Sequence, residues 1–235
     1  MSNFEKVIGY ETIKSELMQV CDMLQNKEVY QELGAKFPNG VLLYGEPGLG
    51  KTIVARHIAN MLAETGQKVL YIATEGLSEQ ERLKRLNDKY YFLYRRLISA
   101  EEIRNVAFIR KYNAIVIDSF QYMHHKRKED VAYNLKCLAE ELKCAVIVLS
   151  HISRKTDMRK DHRPRISDMT RKMCGTLWKS SDGVIFLYRN SYYETNKETD
   201  IMNIIVAKNI PYSETGIYRE DFLKMFACLE TDYER

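Results

Sequence analysis

The chain has 235 residues, enough to bury one sizeable core, so a single α/β domain is the expectation. Its 45% hydrophobic and 29% charged residues are ordinary for a soluble globular protein, and no apolar run approaches the roughly 20 residues that a membrane span needs. The net charge of +4 is too small to imply a nucleic-acid partner by itself, and Met1–Lys6 has none of the features of a signal peptide.

In residues 1–37 the positions Ile13, Leu17, Val20, Cys21 and Leu24 follow the spacing of one buried helix face, and Phe37-Pro38-Asn39-Gly40 is a turn signal. Val41–Tyr44 is a short apolar strand feeding a glycine loop, and Ile53–Glu64 reads as a helix that Thr65-Gly66 ends. A second strand, Val69–Ala73, stops at Thr74-Glu75-Gly76, and a charged helix follows from Ser78 to Lys89. Tyr91–Tyr94 reads as a third strand, a core element rather than a base-stacking platform. Ser99-Ala100-Glu101-Glu102 has capping-box spacing and opens a helix that runs to about Tyr112. Ala114–Ile117 is a fourth strand ending at Asp118, Asp130–Leu142 a helix, and Ala145–Leu149 a fifth strand ending at Ser150-His151. Strands at Gly183–Tyr188, Ile201–Ala207 and Phe222–Phe226 have no long helices between them and predict an antiparallel extension. The alternation before them predicts a parallel sheet covered on both faces. The five cysteines (Cys21, Cys137, Cys144, Cys174, Cys228) form no CxxC pair and have no histidine at metal-ligand spacing; they read as core residues in a reducing compartment, the cytosol.

The loop Gly45-Glu46-Pro47-Gly48-Leu49-Gly50-Lys51-Thr52 carries the clearest chemistry. Glycines let the backbone turn successive N–H groups toward the β- and γ-phosphates, and the following helix adds its positive end. Lys51 supplies a point charge on the same oxygens, and the Thr52 hydroxyl is suited to Mg²⁺. Mg·ATP is therefore the expected ligand. Asp118, at the tip of a buried strand, is placed to hold Mg²⁺ through water. Hydrolysis also needs a group to orient the attacking water, and Glu75, at the tip of the second strand, is the candidate. Ser150-His151 ends on the same edge, where a polar side chain can touch the γ-phosphate; His124-His125 reads as a solvated pair. Nine basic residues between Arg154 and Lys179 face only Asp157, Asp161 and Asp168, which predicts a phosphate-tracking surface of Arg154, Lys155, Arg159, Lys160, Arg163, Arg165, Arg171 and Lys172.

Two family resemblances follow from longer blocks. Phe4-Glu5-Lys6-Val7-Ile8-Gly9-Tyr10 and Leu33–Gly45 resemble the front of an AAA+ ATPase of the membrane-protease type, which implies that Ile8 and Gly9 line the adenine site. From about residue 67, Val69–Glu75, Val116–Gln121, Leu149–Arg154, Arg163–Asp168, Phe186–Arg189 and Ile204–Lys208 resemble the RecA-like core of replicative helicases of the DnaB type, with a shortened middle like that of the RadA/Sms proteins.

The second resemblance implies a RecA-like phosphate-loop fold with a mostly parallel sheet, helices on both faces and a C-terminal antiparallel extension. It also implies ATP and Mg²⁺ as cofactors, single-stranded DNA as partner, and a hexamer-type ring. By position Glu75 becomes the water-activating glutamate, Asp118 the Mg²⁺ aspartate and His151 the γ-phosphate sensor in place of the usual glutamine. Lys208 would then reach a neighbouring subunit's nucleotide. Two residues beyond Lys208, where the helicases have an arginine finger, stands Ile210. The expected organisation is one domain with an AAA+-like front over 1–66 and a RecA-like body over 67–235. The expected function is ATP hydrolysis coupled to movement on single-stranded DNA. Protein remodelling of AAA+ character and a nucleotide-binding module with little hydrolysis are the alternatives.

Overall fold

In the computed structural model the described residues are 40–45, 50–78, 89–124, 128–152, 156, 158–169, 174–189, 201–209 and 216–221, all within the unit Pro38–Arg235. The expected helix face at Ile13–Leu24, the adenine-pocket residues Ile8 and Gly9, most of the charged helix and loop residues Glu46–Leu49 lie outside them.

Among the described residues eight strands form one sheet in the order β3-β2-β4-β5-β1-β6-β7-β8. They are β1 (Gly40–Gly45), β2 (Val69–Ala73), β3 (Tyr91–Tyr94), β4 (Ala114–Asp118), β5 (Ala145–His151), β6 (Gly183–Arg189), β7 (Ile201–Asn209) and β8 (Gly216–Asp221). The first six in space run parallel, and β7 and β8 add to β6 as an antiparallel edge. This is the expected fold class. β8 is a strand that the apolar pattern did not indicate, and the strand expected at Phe222–Phe226 lies outside the described residues. Its ladder with β7 runs from Val206↔Gly216 to Ile201↔Asp221 and uses backbone groups whatever the polarity of Arg219, Glu220 and Asp221.

Among the described residues the helices are α1 (Lys51–Glu64), α2 (Ala100–Arg110), α3 (Lys128–Leu142) and α4 (Cys174–Ser180). Pleating sends alternate side chains to opposite faces. Leu70, Ile72, Ile115, Ile117, Val146, Val148 and Phe186 form one core with Ile103 and Ala107 of α2, Val131, Leu135 and Leu138 of α3, and Leu177 of α4. The alternate positions, Tyr71 and Val116 among them, turn to the face that α1 covers through its contacts with β1, β2, β4 and β5. The strands β2 and β4 are buried along their whole length, as a sheet covered on both faces requires.

The helix ends follow local chemistry. Ser99 accepts a hydrogen bond from the Glu102 backbone N–H at 3.1 Å while its own N–H donates to the Glu102 carboxylate at 2.9 Å, the reciprocal cap read from the sequence. Gly50 has φ 90° immediately before α1, a conformation that a Cβ would strain. α1 therefore starts at Lys51, two residues earlier than the apolar pattern indicates.

Candidate nucleotide site at the carboxyl edge of the sheet

The parallel strands end together on one edge, and the register fixes what meets there. Gly45 of β1 lies beside His151 of β5, and Ala73 of β2 beside Asp118 of β4. Lys51 opens α1 directly above this edge and is buried. Its ammonium donates to the Gly45 carbonyl at 2.7 Å, which also accepts from the Ile152 N–H at 3.3 Å.

Thr52 donates its hydroxyl to Asp118 Oδ2 at 2.8 Å. The buried Tyr71 hydroxyl donates to the same oxygen at 2.8 Å. A threonine hydroxyl and a carboxylate in contact are hard oxygen donors of the kind Mg²⁺ selects. Among the described residues no group of three or more His, Cys, Asp or Glu side chains could hold a metal by itself. Mg²⁺ beside a nucleotide usually takes its remaining ligands from phosphate and water oxygens. The residues present fit the ion.

The tip of β2 is clamped to the tip of β4. Thr74 N–H donates to the Asp118 carbonyl at 2.7 Å, Thr74 Oγ1 donates to the Ser119 carbonyl at 2.6 Å, and Ser119 N–H donates back to Thr74 Oγ1 at 2.7 Å. The Asp118–Ser119 peptide is cis. Glu75 follows this clamp directly, so its backbone is held while its side chain is exposed to solvent on the edge that carries Lys51, Thr52 and Asp118. A 3-10 turn, Phe120–Tyr122, leaves β4, and Gln121 Nε2 donates to Ser150 Oγ at 2.8 Å. That bond ties the turn to the residue before His151.

His151 is half-buried, and its buried Nδ1 has no hydrogen-bond partner among the described residues. Burial, and then the neighbouring Lys51 charge, pushes the imidazole down from 6.5 to about 4. At neutral pH the ring is therefore uncharged and carries a single N–H donor, the group that a phosphate oxygen can accept from. Because the folded value lies below the unfolded one, the unfolded chain takes the proton first as pH falls. Stability due to this group is full above pH 6.5 and is lost progressively toward about pH 4. Thermal melts across that window are expected to show a slope that His151→Gln flattens; an identical slope in the variant would mean that His151 does not carry it.

Lys208 does not join this cluster. It pairs with Val184 near the start of β6, on the opposite edge of the sheet, and donates to the carbonyls of Trp178, at 2.8 Å, and Ser181. Its ammonium also lies 5.4 Å from the Trp178 ring centroid, and burial lowers its basicity. Lys208 thus caps the C-terminal end of α4, and any reach to another subunit requires it to leave both carbonyls.

The basic stretch is part surface and part internal staple. Arg159 makes a two-pronged pair with Asp168, 2.7 Å from each guanidinium nitrogen to its oxygen, and also donates to the Arg163 carbonyl. Arg165 pairs with Asp161 at 2.7 Å but stays exposed, as do Lys160 and Arg163. Arg159 is therefore occupied within the loop rather than presented outward. Arg154, Lys155, Arg171 and Lys172 lie outside the described residues, as does Ile210.

Sequence reading missed Tyr71, Thr74 and Gln121. The one signal for Tyr71 was a hydroxyl in the otherwise aliphatic strand Val-Leu-Tyr-Ile-Ala; nothing in the spacing singled out the other two.

Residues 78–227 match the family model described as the DnaB-like helicase C terminal domain. Among curated proteins, the replicative DNA helicase DnaB of Rickettsia conorii is 32% identical over 164 residues, 57% of this chain and 33% of that protein. The ATP-dependent zinc metalloprotease FtsH 2 of Symbiobacterium thermophilum is 48% identical over 56 residues, 24% of this chain and 10% of that protein. Among solved structures, the ATPase domain of G40P superposes with TM-score 0.73 at 21% identity, covering 93% of this chain and 98% of that one. A DnaB-like replicative helicase, solved in a study of its interactions with primase, superposes with TM-score 0.71 at 20% identity, covering 89% and 73%. At such identities the structures speak for the fold alone. The chain spans about a third of the length of the DnaB relatives it matches.

Proposed function

The chain belongs to the DnaB-like helicase C-terminal domain family, and on that premise we propose that it is a Mg²⁺-dependent ATPase whose turnover is coupled to single-stranded DNA. The observation that carries the reading is the contact between Thr52 and Asp118 beside the buried Lys51. It supports a metal and a triphosphate meeting at one point of the sheet edge.

In this reading the phosphate loop binds the triphosphate, and Thr52 and Asp118 hold the hydrated Mg²⁺, which neutralises charge developing on the phosphates. Glu75 orients the attacking water from the neighbouring strand tip, and neutral His151 reports the γ-phosphate. Residues 1–66, with their AAA+-like front, and the RecA-like remainder act as one phosphate-loop domain in the cytosol. A hexamer-type ring would bring Lys208 toward the next subunit's nucleotide. Of the basic residues, Lys160, Arg163 and Arg165 are exposed to meet DNA phosphates, with Arg154, Lys155, Arg171 and Lys172 as further candidates.

The test is ATP turnover with and without single-stranded DNA at two salt concentrations. Neutralising about five phosphates implies a loss of roughly 10²-fold in apparent DNA affinity between about 50 and about 200 mM salt. Turnover indifferent to DNA at low salt refutes the coupling. Stimulation by an unfolded protein instead points to remodelling of the AAA+ kind.

A further inference from the structure

Tyr71 is the only polar side chain in β2, and it is completely buried. A leucine or isoleucine would fill a strand covered on both faces without needing a hydrogen-bond partner, whereas a buried phenol must find one. The partner here is Asp118, 2.8 Å away. The register makes the contact possible: Tyr71 lies opposite Val116 and Ala73 opposite Asp118, so the phenol and the carboxylate are diagonal neighbours on one face of adjacent parallel strands.

The ring is itself held. Tyr90 stacks on it with centroids 5.2 Å apart, and Phe92 tilts against it at 6.3 Å. Tyr90 in turn accepts a hydrogen bond from Arg56 of α1 at 3.4 Å. The Tyr71 hydroxyl is thus fixed by rigid aromatic packing rather than by a mobile loop. It meets Asp118 at Oδ2, the oxygen that Thr52 also contacts. Among the described residues no hydrogen bond reaches Oδ1.

We propose that Tyr71 is a positioning residue for the nucleotide's Mg²⁺. Together with Thr52 it fixes one oxygen of Asp118 and so leaves the other for the hydrated ion. Without the phenol one of the two bonds to Oδ2 is lost, the carboxylate gains rotational freedom, and the metal must order it on binding. The inference rests on the reading of this edge as a Mg·nucleotide site. Its distinct content is that metal affinity, rather than nucleotide affinity as such, depends on a core residue outside the phosphate loop.

The variant is Tyr71→Phe, which removes one oxygen and keeps the aromatic packing. The probe is a fluorescent, non-hydrolysable ATP analogue, titrated onto the full chain in excess EDTA and again across a Mg²⁺ series. The expected result is an EDTA affinity within twofold of the unsubstituted chain and a Mg²⁺ midpoint about tenfold higher, the order set by losing one hydrogen bond to a charged group. In an Asp118→Asn background the same substitution should shift the midpoint no further, since the partner is already altered. An unmoved midpoint in Tyr71→Phe overturns the proposal. So does a loss of the same factor in EDTA and in Mg²⁺, or a full shift that persists in the Asp118→Asn background. If the unsubstituted chain binds the analogue equally with and without Mg²⁺, the Mg·nucleotide reading falls first and takes this inference with it.

Discussion

Glu75→Gln is expected to leave nucleotide binding intact and to lower ATP turnover by about 10²–10⁴-fold, the range of a positioned general base. Glutamine keeps the shape and much of the hydrogen-bonding capacity but cannot take a proton from water. The side chain is exposed and follows the Thr74–Ser119 clamp, so the substitution should not disturb the fold. Surface changes of this kind usually alter stability by no more than about 0.5 kcal/mol. Single-turnover hydrolysis measures the effect, with analogue binding as the control. Turnover within threefold of the unsubstituted chain would return Glu75 to the rank of an ordinary turn residue. It would also favour a module that holds nucleotide and hydrolyses little, the alternative raised by Ile210.

Lys51→Ala should damage both binding and turnover, which separates it from Glu75→Gln. Removing one preorganised electrostatic contact to a reacting group costs about 10²–10³ in rate. A lysine on the β/γ oxygens also contributes to ground-state binding, so affinity for the triphosphate falls as well. The fold should survive. The Gly45 carbonyl that accepts from Lys51 also accepts from the Ile152 N–H, so the substitution leaves it with a partner. Calorimetric binding of ATP with Mg²⁺, alongside a thermal melt, checks both halves. Wild-type affinity with an unchanged melt would remove the phosphate loop from the nucleotide site. The same variant takes away a charge that holds the His151 imidazole low, so the acid-side stability slope should move toward the usual histidine range.

Much of this edge was legible in the sequence because its parts are local. A strand, a glycine turn with the following helix, and a polar residue just past an apolar run are patterns within a few neighbours. They were enough to place Lys51, Thr52, Asp118, Glu75 and His151 on this edge. The links among these residues were not legible. Thr74 and Ser119 are 45 residues apart, Tyr71 and Asp118 are 47, and Gln121 and Ser150 are 29. Register decides such pairs, and register is a property of the assembled sheet. Charge counting failed for a related reason. It scored Arg159 with its basic neighbours, whereas the fold turns it onto Asp168. β8 went unread because hydrophobicity marks buried strands, whereas β8 pairs at the sheet's edge through its backbone.

The position of β1 has a consequence for the order of assembly during synthesis. In space it lies between β5 and β6, yet it leaves the ribosome before either. Its first ladder partner is 106 residues downstream, from Gly40 to Val146, and its second 142, from Val41 to Gly183. A chain growing at about 5–20 residues per second therefore carries an apolar, unpaired strand for several seconds before its neighbours exist. The helix that follows β1 can form early, but β1 itself is framed only when the distant strands dock. Loop-closure entropy over such separations makes that docking a slow step. The first functional motif along the chain is thus among the last to acquire its working shape.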